Sequence, residues 1–224
     1  MRVLRSKKAG AKRGAGRARG ILGGLAAVVA GLTLLQVAPA AAQSFKVPAR
    51  SEPLSAIGSA NPIPGWTTFC QTNARDCAVD VSEQEVIRLT AQAWKAIVTV
   101  NRQVNAMLEP MTDTDHWGVS DRWDLPQDGA GDCEDYQLLK RRLLVEAGLP
   151  ARALRMTVVV DETGEGHAVL MARTDRGDFI LDNKHNGVLP WHQTGYTFVK
   201  REGTHGTAWV SLGQATGPSA TANR

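Results

Sequence analysis

"GAGDCEDYQLLKRRLL", residues 129–144, decides the fold. A glycine-rich turn runs into helical spacing, with Tyr136, Leu139, Leu143 and Ala147 as the expected buried stripe. Gly148 stands at the place of a C-cap and Pro150 prevents continuation, so a helix is predicted over about 132–147. Arg141 and Arg142 lie toward its C-terminal end, where positive charge suits the dipole. Cys133 then falls in the first turn, where unpaired amides and the dipole favour a thiolate. Three carboxylates crowd it: Asp132, Glu134 and Asp135. Acids suit a first turn, with Asp132 as N-cap, yet they oppose ionisation of the thiol beside them.

C-terminal to this helix the chain reads as strands. "ALRMTVVV" (153–160), "GHAVLMART" (166–174), "GDFILDN" (177–183), "YTFVKRE" (196–202) and "TAWVSLG" (207–213) are short and rich in β-branched or aromatic residues. The turns between them are tight, which predicts hairpins and an antiparallel sheet. N-terminal to it, Ser82 and Glu85 have capping-box spacing. Val86, Leu89, Ala93, Ile97, Val100, Val104 and Met107 continue as one helical stripe until Pro110. Residues 111–131 are expected to form a loop anchored by tryptophan rings, and loops of that length are often functional. Helices first and strands second indicate an α+β fold, with N-terminal helices packed on an antiparallel sheet.

The ends of the chain differ in character. Residues 1–42 carry eight basic residues and no acid, then an apolar run (Ile21 to Ala38) and small residues at Ala40 and Ala42. That order predicts a signal peptide and export, with an N-terminal membrane anchor as the alternative. The remainder has 18 basic and 22 acidic residues, a net charge of −4. The basic pI therefore belongs to the leader and is not a nucleic-acid signature. Residues 43–65 are read as an irregular lead-in, 66–213 as one domain and 214–224 as a disordered tail. Of three cysteines, Cys70 and Cys77 bracket a polar loop and could close a disulfide in an oxidising compartment. Cys133 is left as the odd thiol, which is either a buried small side chain or a nucleophile. No C-x-x-C or H-x-x-x-H spacing supports a zinc site.

A nucleophilic cysteine needs a base and a group to orient it. His167 begins one strand and Asp182 ends the next. If the two strands pair as a hairpin turning near 175–177, both lie at its open end, as in papain-like sites. A strand-end histidine and an Asx turn at Asp182–Asn183 would have the same sequence.

"HWGVSDRWDLPQDGAGDCEDYQLLKRRLL", then "GHAVLMA", then "FILDN", resembles the bacterial transglutaminase-like cysteine proteinases, the LapG-like exported proteases, over about Trp66 to Leu212. The resemblance implies a papain-like core, peptide-bond cleavage, and Cys133, His167 and Asp182 as nucleophile, base and orienting acid. Cys133 N–H, with Trp117 or more specifically Trp123, would serve the oxyanion. It further implies calcium at Asp132 and Glu134, with Asp135 as a third ligand. The implied substrate is a surface protein such as an adhesin, and the implied regulator an inner-membrane cyclic di-GMP receptor. The enzyme itself is expected to be a periplasmic monomer. A transglutaminase or amidase would use the same residues, and a non-catalytic exported binding module could retain them.

Overall fold

The computed structural model describes residues 45–213. The expected signal peptide (1–42) and tail (214–224) lie outside the described residues. Elements run β1 (Gly58–Ala60), α1 (Pro64–Thr72), α2 (Ala74–Cys77), α3 (Ala91–Met107), β2 (Glu109–Pro110), α4 (Asp113–Trp117), β3 (Ala130–Gly131) and α5 (Cys133–Glu146). Then follow β4 (Leu154–Val160), β5 (Gly166–Thr174), β6 (Gly177–Leu181), β7 (Leu189–Pro190), β8 (Thr197–Glu202) and β9 (Trp209–Ser211). Seven strands form one sheet in the order β1-β9-β8-β4-β5-β6-β7, and every pairing in it is antiparallel. Helices precede the main run of strands, so the architecture is the α+β one. Among the described residues no helix is long and apolar enough to cross a membrane.

The helices cover one face of the sheet. Trp66 and Phe69 of α1, Trp94, Ile97 and Val104 of α3, and Leu138 and Leu144 of α5 pack with Met156, Leu170 and Phe179 of β4, β5 and β6. The other face carries a smaller cluster of Val159, Val169, Met171, Ile180 and Phe198, with Leu54 of the lead-in on it. The segment expected to be irregular thus supplies strand β1 and part of that cover. It also sits tightly on the β5–β6 turn, where Ser51 N–H donates to Arg176 O at 2.6 Å. Gly177 there has φ +101°, and a Cβ on it would lie 2.7 Å from the Ser51 carbonyl carbon. Only glycine satisfies both the left-handed backbone and that approach.

Two sequence expectations need correction. The Ser82/Glu85 pair does not start a helix. Ser82 N–H and hydroxyl both bond Asp80 Oδ1 (2.8 and 2.6 Å), and Glu85 pairs with Arg152 at 2.5 Å. Residues 86–89 run extended, with Ile87 and Leu89 buried and Val86 and Arg88 exposed, a period of two. Backbone bonds from Ile87 to β5 and from Leu89 to the Asp175 carboxylate hold them there. Helix α3 starts instead at Thr90, whose Oγ1 accepts the Ala93 N–H at 3.1 Å. Met107, the last residue of the expected stripe, is exposed.

Helix α5 has the expected bounds but not the expected single stripe. Its first half is buried nearly all round, from Cys133 through Leu138, together with Lys140 and Arg141. Leu139 and Leu143 are only partly buried, and Ala147 is exposed. The helix ends in a Schellman motif: Leu149 N–H reaches Leu144 O (3.0 Å), Gly148 N–H reaches Val145 O (2.9 Å), and Gly148 has φ +88°.

Arg141 gives one of the fully desolvated ion pairs. Its Nη1 lies 3.0 Å from both oxygens of Glu202 on β8. The same carboxylate accepts Trp66 Nε1–H (2.9 Å) and Met156 N–H (2.9 Å), tying α1, α5, β4 and β8 together. Truncating one partner of a buried pair leaves the other charge unpaired. Glu202→Ala is therefore expected to lower stability by about 3–5 kcal/mol in urea unfolding followed by tryptophan fluorescence. A loss below about 1 kcal/mol would show that the hub does not hold these elements together.

Candidate active site

Cys133 is the first residue of α5 and is fully buried. Its thiol donates to Glu134 Oε2 at 3.0 Å, and Ala168 N–H donates to Sγ at 3.4 Å. Ala168 follows His167 on β5, so the sulfur is held against the strand that carries the histidine. The β5–β6 register pairs Leu170 with Leu181 and turns at 175–176, which brings His167 and Asp182 to the same open end. His167 Nε2 lies 2.9 Å from Asp182 Oδ1, both side chains buried. Nε2 is thereby committed to the carboxylate, and Nδ1 is buried with no hydrogen-bond partner.

Asp182 is fixed from several directions. Its Oδ1 also accepts Lys184 N–H (3.0 Å), and its Oδ2 accepts the Tyr196 hydroxyl (2.6 Å). Its own N–H donates to Asn101 Oδ1 (3.2 Å), and its carbonyl accepts from Asn105 Nδ2 (2.9 Å). Burial alone would raise the carboxyl, but the bonds and charge from His167, Tyr196 and Lys184 outweigh it and hold it near 2. Sequence reading missed Tyr196, Asn101 and Asn105. Two asparagines at i and i+4, with Asn101 buried among Ile97, Val100 and Val104, are a legible signal for the pair. Nothing in the sequence marks Tyr196.

The acids beside Cys133 sort differently from expectation. Asp132 caps α5 by position only, since its side chain makes no cap bond and its Oδ2 accepts Asp113 N–H at 3.3 Å. Asp113, Asp132 and Glu134 are all buried and place one oxygen each within 4.8 Å of one another. Asp113 was not foreseen; it lies in α4, inside the loop read as irregular. It reaches the site because β2 and β3 pair in parallel and close the loop at its base. Asp135 is outside this group. Its Oδ1 accepts Asp124 N–H at 2.9 Å, and its Oδ2 is buried against Gly131, where a Cβ would lie 2.7 Å away.

Burial pushes Asp135 up to about 9, and burial with the neighbouring Glu134 and Asp113 charges raises Asp132. Burial, then Glu134 and Asp132, push the Cys133 thiol well above its ordinary value. Three buried carboxylates facing one another are the donor set of a hard cation. Asp132 Oδ1 has no hydrogen-bond partner, as expected of an oxygen kept for such an ion. These residues fit calcium on that ground.

Of the two loop tryptophans, Trp123 is buried and Trp117 is exposed. Trp123 packs on Gly65, where a Cβ would lie 2.6 Å from its Cδ1, and its Nε1 has no hydrogen-bond partner. Trp117 stacks on His116 at 3.9 Å and lies under the Arg122 guanidinium at 4.1 Å. Cys70 and Cys77 are joined in a disulfide that closes the α1–α2 turn. Asp76 beside it makes a two-pronged pair with Arg142 of α5 (2.9 and 2.8 Å).

The model of the bacterial transglutaminase-like cysteine proteinases matches residues 56–217. The chain belongs to that family. It is a cysteine proteinase, and its substrates are proteins. No curated protein matches the chain. Among solved structures, EGTA-treated Legionella pneumophila LapG is similar at 29% identity and a TM-score of 0.46, over 53% of this chain and 67% of that one. Calcium-bound Legionella pneumophila LapG aligns at 23% identity and a TM-score of 0.44, over 58% and 82%.

The raised carboxyls make the proteinase's stability depend on pH. Asp135 binds a proton in the folded state up to about 9 and releases it near 4 when unfolded. Between those values the folded state holds more protons, so stability falls as pH rises. Chelator-treated protein is expected to lose stability from pH 5 to pH 9, at up to about 1.4 kcal/mol per pH unit for each retained proton. Calcium held through Asp132 is expected to flatten only the part of that slope that the raised Asp132 carboxyl contributes. Urea midpoints at pH 5, 7 and 9 check it, and a rise with pH in chelator would contradict the assignment.

Proposed function

We propose that this proteinase is an exported endopeptidase working through Cys133, His167 and Asp182. One observation carries the reading: a first-turn thiol held by the amide next to a histidine whose Nε2 is on a buried carboxylate and whose Nδ1 is uncommitted. In this mechanism His167 Nδ1 takes the thiol proton and the sulfur attacks the peptide carbonyl carbon. The tetrahedral intermediate collapses, His167 returns the proton to the departing amine, and the acyl group remains as a thioester. Water, deprotonated by His167, then releases the new carboxylate and restores the thiol. Asp182 keeps the proton on Nε2, so that Nδ1 presents its lone pair. The Cys133 backbone N–H and the buried Trp123 indole N–H are the proposed oxyanion donors.

Asp113, Asp132 and Glu134 are the proposed calcium ligands. The bound cation would supply positive charge offsetting the carboxylates that oppose thiolate formation. Asp135, expected as a third ligand, lies outside this group and accepts the Asp124 N–H of the loop. Legionella LapG is a protein seen with calcium, and the donor set here is the reason to extend that ion to this chain.

The basic, apolar and small-residue order of residues 1–42 supports export to the periplasm. The proposed substrate is an exported surface protein such as an adhesin, and restraint by an inner-membrane cyclic di-GMP receptor is the regulation that the family resemblance suggests. Cys133→Ala is expected to abolish substrate processing while leaving thermal unfolding within a few degrees of wild type. Termini mapping of exported proteins with the wild type and this variant identifies the substrate as the protein whose new N-terminus requires the thiol. Processing that persists in the Ala variant would remove Cys133 as nucleophile, and an amine-linked rather than hydrolysed product would move the enzyme to the transferases.

A further inference from the structure

Asp182 is bonded through both carboxylate oxygens, its N–H and its carbonyl. A carboxylate that must keep an imidazole proton on one nitrogen has to be prevented from turning. Each oxygen here is assigned: Oδ1 to His167 Nε2 and Lys184 N–H, Oδ2 to Tyr196. The Tyr196 hydroxyl is only a donor toward that anion, at 2.6 Å, and Tyr196 is itself buried. Its ring also meets the His167 ring edge-on, with centroids 5.7 Å apart at 78°. One residue thus restrains both partners of the pair.

The peptide group on either side of the Asp182 α-carbon is restrained independently. Asn101 and Asn105 are one turn apart on α3 and take its N–H and its carbonyl respectively. The same asparagines bond the next turn of chain, Asn101 Nδ2 to His185 O at 3.0 Å and Asn105 Nδ2 to His185 O at 3.1 Å. Helix α3 therefore fixes where β6 ends, while Tyr196 fixes which way the carboxylate faces. A purely structural role would require only that these groups be satisfied. It would not require all of them to converge on the residue that orients the histidine.

We propose that Tyr196, with Asn105 and Asn101 behind it, is a positioning residue for catalysis: it locks the Asp182 carboxylate so that the His167 proton stays on Nε2. The inference rests on the reading of Cys133, His167 and Asp182 as the reacting set. Tyr196→Phe keeps the ring and removes the bond to Oδ2. Asn105→Ala, at a partly exposed position, removes the bond to the carbonyl and guards against misfolding of the first variant.

The test uses the full chain with calcium present, at one fixed pH. Iodoacetamide alkylation of Cys133 and the ¹⁵N–¹H spectrum of the His167 ring are the readouts. Wild type is expected to show a His167 Nε2–H signal and rapid alkylation. In Tyr196→Phe that signal is expected to shift or broaden away and alkylation to slow by about ten- to a hundredfold, the range for one hydrogen bond to a charged group. Asn105→Ala is expected to move both readouts in the same direction by less. Asp182→Ala separates the two levels of the argument. If it alkylates as fast as wild type, the reacting set itself is wrong. If it is slow while Tyr196→Phe and Asn105→Ala keep the wild-type signal and rate, even with lower melting temperatures, the positioning inference alone is overturned.

Discussion

Carboxylates buried beside a thiol that the proposed mechanism requires to ionise are the constraint on which the rest of this structure depends. Asp113, Asp132 and Glu134 face one another at the start of α5, and the Cys133 thiol bonds Glu134 of that group at 3.0 Å. Left as anions they repel each other and the thiolate; left protonated they contribute no field at all. Either state is costly for carboxylates buried away from bulk solvent. A hard cation resolves both difficulties, because the charge that binds it is the charge that otherwise suppresses the nucleophile. Ion binding and thiol activation would then be one electrostatic event shared by a single helical turn.

The scaffold is built to keep that turn buried and fixed. Helix α5 is buried on most of its circumference at its N-terminal half, between the α3 side of the core and β5. The Arg141–Glu202 pair joins its second half to β8, and Asp76–Arg142 joins it to the disulfide-closed α1–α2 turn. A disulfide over so short a loop contributes roughly 2 kcal/mol. The parallel β2–β3 pair pulls the two ends of the long loop together, so α4 can present Asp113 to the helix start. On the opposite side, α3 holds the end of β6, and with it Asp182.

Much of this was legible because it is local. The α5 boundaries followed from a glycine turn, a capping acid and a Gly-x-Pro exit, and five of the seven sheet strands followed from period and turn residues. His167 and Asp182 could be placed at one end because a hairpin register carries them there. What was illegible is tertiary. Ser82 and Glu85 have capping-box spacing, but Asp80 and Arg152 claim them, and the C-terminal end of β5 with Asp175 beyond it holds Ile87 and Leu89 in extended backbone. The α5 stripe was misjudged because a helix buried on several sides has no single stripe. Asp113 replaced Asp135 in the acid cluster because a loop closure across 19 residues, not helical spacing, decides the third oxygen. Tyr196 meets Asp182 only through the sheet order.

In the proposed mechanism a cation among Asp113, Asp132 and Glu134 is what permits Cys133 to work as a thiolate. The rate of iodoacetamide alkylation of Cys133 as a function of pH, in calcium and in chelator, tests it most directly. The midpoint is expected at lower pH in calcium, with chelated enzyme reacting slowly at neutral pH. Superimposable profiles in the two conditions would contradict it.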